Sequence, residues 1–187
     1  MQNFIIKLAD DTDFKFAEAI SAEIERSAKE RGIGIAKRSP EYIIEKMKAG
    51  KAFVAISENT NDIAGFCYIE TFDNDEFVGN SGLIVFPQYR RDGVASQLKY
   101  FIFEETLKRY PNSKIMSLTT SLPVMKLNSE LGYKPVTYNL MPKEDRFWNK
   151  CQSCINYQTL MSKNKKVCFC TAMLYDPSKD SSKKDDK

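Results

Sequence analysis

Chemistry in this chain concentrates at a few places, and the most pointed is Arg90-x-x-Gly93-x-Ala95. It follows the apolar run 82–86 and opens an amphipathic segment with Val94, Leu98, Phe101 and Ile102 at helical spacing. Gly93 and the small Ala95 let a backbone approach a ligand closely, and Ser96 adds a hydroxyl. Successive N–H groups at the positive end of a helix could then surround a pyrophosphate. A second place is Lys37 and Arg38, just ahead of Ser39-Pro40. A guanidinium there suits bidentate binding of a carboxylate, and a solvated basic loop is the alternative. Glu70, on the segment Cys67–Glu70, is the candidate catalytic base acting through water, against a plain surface carboxylate. Lys165 and Lys166 could also face an anion, or form a lysine-rich surface turn.

The cysteines make the third pattern. Cys151-x-x-Cys154 is followed, thirteen residues on, by Cys168-x-Cys170. A C-x-x-C turn supplies two thiolates, and alternate positions of a strand supply two more on one face. Together they would form a closed, structural tetrahedral zinc site. Buried thiols and a redox pair are the other readings. Cys67 reads as a core thiol. There is no histidine, which excludes Ser-His-Asp and Cys-His triads and zinc protease motifs. Any general base is then a carboxylate, tyrosine, cysteine, lysine or positioned water.

The elements that must position these residues alternate in type. Residues 3–9 read as a strand, and Asp13 as the cap of a helix that ends at Gly32. Ser39 caps a helix with Pro40 first and Gly50 as its stop. Residues 51–57 and 63–72 form a hairpin, and 77–86 a third strand leading into the glycine turn and its helix, which Pro111 closes. A strand over 114–120, a helix over 122–132 and a strand over 133–141 follow. This order indicates an α+β or mixed α/β domain over 1–142. A Cys-rich C-terminal extension over 143–175 packs on it, and the apolar-free tail 176–187 is expected to be disordered.

With 187 residues, 42% hydrophobic and 28% charged, the chain suits one soluble domain with a small appendage. A net charge of +3 does not point to nucleic acid or an anionic membrane as partner. No stretch is apolar enough for a signal peptide or a membrane span, so the expected location is the cytoplasm.

The strand, the Arg90-x-x-Gly93-x-Ala95 turn and the later Glu130–Val136 segment resemble the GNAT (Gcn5-related) N-acyltransferases over roughly residues 4–142. The resemblance implies a central mixed sheet flanked by helices and an acyl-CoA donor, acetyl-CoA first. In that fold the strand before the motif pairs with pantetheine, here through Leu83, Ile84 and Val85. The pyrophosphate lies on the amides of Arg91, Asp92, Gly93, Val94, Ala95 and Ser96. Segments 31–43, 117–120, 131–136 and 139–142 are also similar to the acetyltransferase domain of N-acetylglutamate synthases. That likeness implies a small-molecule amine as acceptor, with glutamate first and Lys37 and Arg38 as its binding residues. Acylation of another amine (a polyamine, an antibiotic or a protein N-terminus) and a non-catalytic acyl-CoA-binding module are the alternatives. A homodimer stays open. The tyrosine that protonates the leaving thiolate in many members is replaced by Asn128, and Ser121 stands where an asparagine is common.

Overall fold

The structure, a computed structural model, describes residues 2–31 and 37–179. The strand β1 (Phe4–Leu8) leads into a polar turn whose cap differs from the expected Asp13. Asp10 accepts the Thr12 amide at 2.9 Å, while Asp13 accepts the Asp10 amide at 3.0 Å. This reciprocal box starts a 3-10 turn, Asp11–Phe16, ahead of α1 (Ala17–Arg31). The expected stop at Gly32 lies outside the described residues. Helix α2 (Pro40–Lys48) begins as its sequence dictates, with the Ser39 hydroxyl accepting the Tyr42 amide at 3.2 Å.

Seven strands form one sheet: β1, β2 (Ala52–Ser57), β3 (Ile63–Phe72), β4 (Phe77–Val85), β5 (Lys114–Thr119), β6 (Lys134–Val136) and β7 (Thr171–Tyr175). Their spatial order is β1-β2-β3-β4-β5-β7-β6. Each pairing is antiparallel except β4 with β5. A parallel pair requires a crossover, which α3 (Val94–Arg109) supplies. One face of the sheet is covered by Ile20, Ile24, Ile43 and Met47 of α1 and α2, packed with Val54 and Phe66. The other is covered by Val94, Leu98 and Ile102 of α3, packed with Phe53, Cys67 and Val78. Coverage on both sides explains why β2 and β3 read as almost unbroken apolar runs.

Two irregularities shape the centre of the sheet. β4 and β5 pair only from Phe77 opposite Lys114 to Gly79 opposite Met116, and then part. Just beyond, Phe66 faces Ile84 and Tyr68 faces Ser81, so Cys67 lies opposite both Gly82 and Leu83. The extra residue is a β-bulge, which bends its strand and leaves backbone groups without a ladder partner. Gly82 makes it feasible, with a φ of 69° that disfavours any side chain.

After α4 (Leu122–Glu130) the strand expected over 133–141 is cut short at Val136. A 3-10 turn, Tyr138–Leu140, follows, fixed by the Tyr138 hydroxyl donating to the Cys170 carbonyl at 2.9 Å. The segment read as an extension contributes α5 (Asp145–Asn149) and α6 (Tyr157–Ser162). From these, Phe147, Trp148 and Leu160 build a third core with Phe72, Phe77 and Met116. It also contributes β7, which lies inside the sheet between β5 and β6. Among the described residues no helix is long and apolar enough to cross a membrane.

Candidate active site

Where β4 and β5 part, a cleft of about 260 Å³ opens, lined by residues 79–84 of one strand and 116–121 at the end of the other. Leu83 and Ile84 are on its wall; Val85 follows them on the same strand without lining it. Arg90, Arg91, Asp92 and Gly93 form the turn into α3, of which Val94, Ala95 and Ser96 are the first residues. Gly93 caps the helix with φ 80° and offers no side chain, while the Gln97 amide bonds its carbonyl at 3.1 Å. The Val94, Ala95 and Ser96 amides therefore have no acceptor within the helix. Arg90 is engaged elsewhere: its guanidinium meets Glu23 at 2.9 Å and the Val85 carbonyl at 3.2 Å, tying the turn to α1 and β4.

The other end of the cleft is charged. Arg38, Glu70 and Lys150 line it together. Glu70 is 4% exposed and nevertheless ionised, because its oxygens are occupied. The Tyr42 hydroxyl donates to it at 2.8 Å, Lys46 is 3.2 Å away, and Lys150 pairs with the second oxygen. Burial pushes the carboxyl pKa up, but Lys150, Tyr42 and Lys46 outweigh it and hold it below the ordinary range. Burial lowers the Lys150 amine, against the attraction of Glu70. Arg38 donates to the Tyr68 hydroxyl at 2.5 Å and lies over the Tyr42 and Tyr68 rings. Its carbonyl accepts from Ser21 of α1 at 2.6 Å. Lys37 is exposed beside a neighbouring depression shared with Arg38 and Lys150, its amide bonded to Ser153 at 3.1 Å.

A profile of the Acetyltransferase (GNAT) family matches residues 21–133. The chain belongs to that family. Its fold is similar to N-acetylglutamate synthase from Neisseria gonorrhoeae, solved with coenzyme A and N-acetyl-glutamate, at a TM-score of 0.65 and 18% identity. That match covers 93% of this chain and 35% of the other, so this chain spans about a third of the Neisseria synthase. Rv2747 from Mycobacterium tuberculosis, solved with CoA, gives 0.65 at 12% identity, covering 92% of this chain and 98% of that one. The ribosomal-protein-S18-alanine N-acetyltransferase from Escherichia coli gives 0.58 at 15%, covering 93% and 94%. No curated protein sequence matches. This chain is a GNAT-family acetyltransferase.

The zinc expectation finds no support in the structure. Among the described residues no group of three or more His, Cys, Asp or Glu side chains could hold a metal ion. The spacing misleads because Cys168 and Cys170 precede β7 instead of lying on it, so strand alternation does not bring them to one face. Cys151 and Cys154 close a turn after α5, the Cys154 amide bonded to the Cys151 carbonyl at 2.8 Å. Burial, together with the neighbouring cysteines, pushes the Cys151 thiol up to about 11 and Cys170 up to about 12, so the four thiols do lie near one another. Cys67 is buried in the core as read.

Several residues of the GNAT site escape sequence reading. Lys150 sits in the stretch that reads as a Cys-rich extension, and nothing local marks it. Tyr42 and Tyr68 pass as core aromatics. Gly82 did carry a signal, since a glycine inside a strand marks a bulge.

Replacing Glu70 with Gln leaves Lys150 without its counter-charge and Lys46 with only the longer contact to Glu45 at 3.9 Å. The expected loss is about 2 kcal/mol at neutral pH, below the usual cost of breaking a buried pair because both lysines keep some solvent. The folded pKa is depressed, so this stability is complete above the ordinary value of 4.5 and is lost as pH falls through the depressed value. Urea unfolding at pH 7 and at pH 3–4 checks it. The two proteins should converge in acid, and an equal gap at both would contradict the assignment.

Proposed function

We propose that this GNAT enzyme transfers an acetyl group to the α-amino group of an amino acid with a side-chain carboxylate, glutamate first, in the cytoplasm. One observation carries the reading. Two cations, Arg38 and Lys150, line the acceptor end of the cleft with one carboxylate, Glu70. An acceptor bringing carboxylates restores balance there, whereas a polyamine adds to the excess. The resemblance of segments 31–43 and 117–120 to the synthase domain supports the same choice.

In this scheme the amides of Val94, Ala95 and Ser96 hold the pyrophosphate. Unladdered backbone at the bulge holds the pantetheine and polarises the thioester carbonyl. Arg38 and Lys150 fix the acceptor carboxylates so that its amine meets the thioester. Glu70, held by Lys150, Lys46 and Tyr42, organises these cations and is a weaker base than a free carboxylate. The amine proton leaves through water.

Thiol release from acetyl-CoA with glutamate, glutamine and a polyamine tests this reading. Glutamate should exceed glutamine about ten- to a hundredfold in kcat/KM, the effect of a lost charge-assisted pair. Arg38→Ala should erase most of that preference, and Arg38→Lys should restore part, because the fork is lost. Equal rates with all three would contradict the acceptor assignment and leave acetylation of another amine.

A further inference from the structure

Lys99, in the second turn of α3, is 2% exposed yet carries an amine into the protein interior. Its Nζ lies 3.3 Å from Asn80 Oδ1 and 3.5 Å from the Tyr133 hydroxyl, and 4.8 Å from the centre of the Tyr133 ring. The Tyr133 hydroxyl donates to the same Asn80 oxygen at 2.9 Å. The Asn80 amide donates to Thr106 at 3.1 Å, and Thr106 to the Ile102 carbonyl at 2.6 Å. Lys99, Tyr133 and Thr106 thus each bond Asn80. That residue lines the cleft at the first position past Gly79, where β4 leaves β5.

No carboxylate of the described residues pairs with Lys99. The titratable groups facing it are Cys67 from β3 and Tyr133 from the segment after α4, with Tyr175 of β7 beyond the Tyr133 ring. Burial pushes Cys67 up to about 12 and Tyr133 well above its ordinary value, so both are neutral. Burial brings Lys99 down to about 8, which leaves the ammonium form predominant near neutral pH. An ammonium with no counter-ion in a protein interior is costly to keep. Negative charge does arise nearby during acyl transfer, on the sulfur that leaves.

We propose that Lys99 stabilises the departing CoA thiolate across the wall of the cleft, acting through Asn80, in a chain where Asn128 replaces the helix tyrosine. The acceptor nitrogen bonds to the acyl carbon, the carbon–sulfur bond breaks with its electron pair going to sulfur, and the amine proton leaves to solvent. Lys99 keeps its proton throughout, and the thiolate is protonated afterwards from water. Lys99 is therefore a positioning residue, out of contact with the reacting atoms. The inference rests on the acyl-CoA donor site, and its test needs no acceptor.

The pKa of the CoA thiol is measured by ultraviolet absorbance of the thiolate, with CoA bound to the full chain and to Lys99→Met and Lys99→Gln. Expected is a thiol about one unit more acidic on the wild type than on either variant, a tenfold difference in thiolate at a given pH. Lys99→Met should melt no lower than the wild type, because removing a buried charge is often neutral or stabilising. Lys99→Gln keeps a side chain able to bond Asn80, so a purely structural role would leave it with the wild-type thiol. Equal thiol pKa values in wild type and Lys99→Gln would overturn the inference, whether or not Lys99→Met folds. Failure of the wild type to bind CoA would overturn the donor site itself.

Discussion

A chain carrying Gly93→Val is expected to bind CoA about a hundredfold more weakly than the wild type, ~2.7 kcal/mol. The donor site depends on a cap that has no side chain. Gly93 holds φ 80°, and the three amides that follow it have no partner of their own. A phosphate on those amides gains charge-assisted bonds and the positive end of a 16-residue helix. A branched side chain at Gly93 strains the left-handed backbone and screens the amides. Losing two such bonds at about 1.5 kcal/mol each accounts for the magnitude. The nearest atom to an added Cβ is Gln97 Nε2 at 3.8 Å, so the fold has room for the change. Calorimetry with CoA, alongside thermal melting, reads the two effects apart. Unchanged affinity in a folded variant would remove the pyrophosphate site from this turn.

Gly82→Val should be the most disruptive single change in the cleft. A Cβ at Gly82 would lie 2.5 Å from Cε1 and 2.9 Å from Cδ1 of Tyr68, a ring with no exposed surface into which to retreat. Backbone strain at φ 69° adds about 1–3 kcal/mol and overpacking a similar amount, for an expected total of about 4 kcal/mol. The displaced ring also carries the hydroxyl that holds Arg38. Stability and the proposed glutamate selectivity are therefore expected to fall together in this variant, while Arg38→Ala is expected to lose that selectivity alone. Denaturant unfolding combined with the amine panel checks the pair. A Gly82→Val enzyme as selective as the wild type would uncouple the bulge from the acceptor end.

What could be read in the sequence follows from how local each feature is. Ser39-Pro40 and the Arg90-x-x-Gly93 turn are contiguous, so residue types alone specify them. The acceptor end draws Arg38, Glu70 and Lys150 from three distant segments, and only the packing of α2, β3 and α5 makes them neighbours. Asp10 and Asp13 are both competent caps, and the 3-10 turn begins at the earlier one. The cysteine spacing requires a strand through Cys168 and Cys170, but pairing begins only at Thr171 with β5 and at Ala172 with β6. Gly82 was legible as an interruption of a strand, not as the place where the sheet opens.

The position of β7 sets an order of assembly. The last strand in the sequence is an interior strand of the sheet, and β6 joins the sheet through it. Until residues 171–175 arrive, β5 has an open edge beside the cleft, and the aromatic contacts of Tyr175 with Phe103 and Tyr133 are missing. Ile115 then pairs with a residue at the far end of the chain, a closure that is slow to find and leaves a strand edge exposed meanwhile. The hairpins β2–β3 and β3–β4 carry no such delay, so the Gly93 turn follows a sheet that is still incomplete. A nascent chain therefore completes the turn into α3 before the sheet beside the cleft is closed.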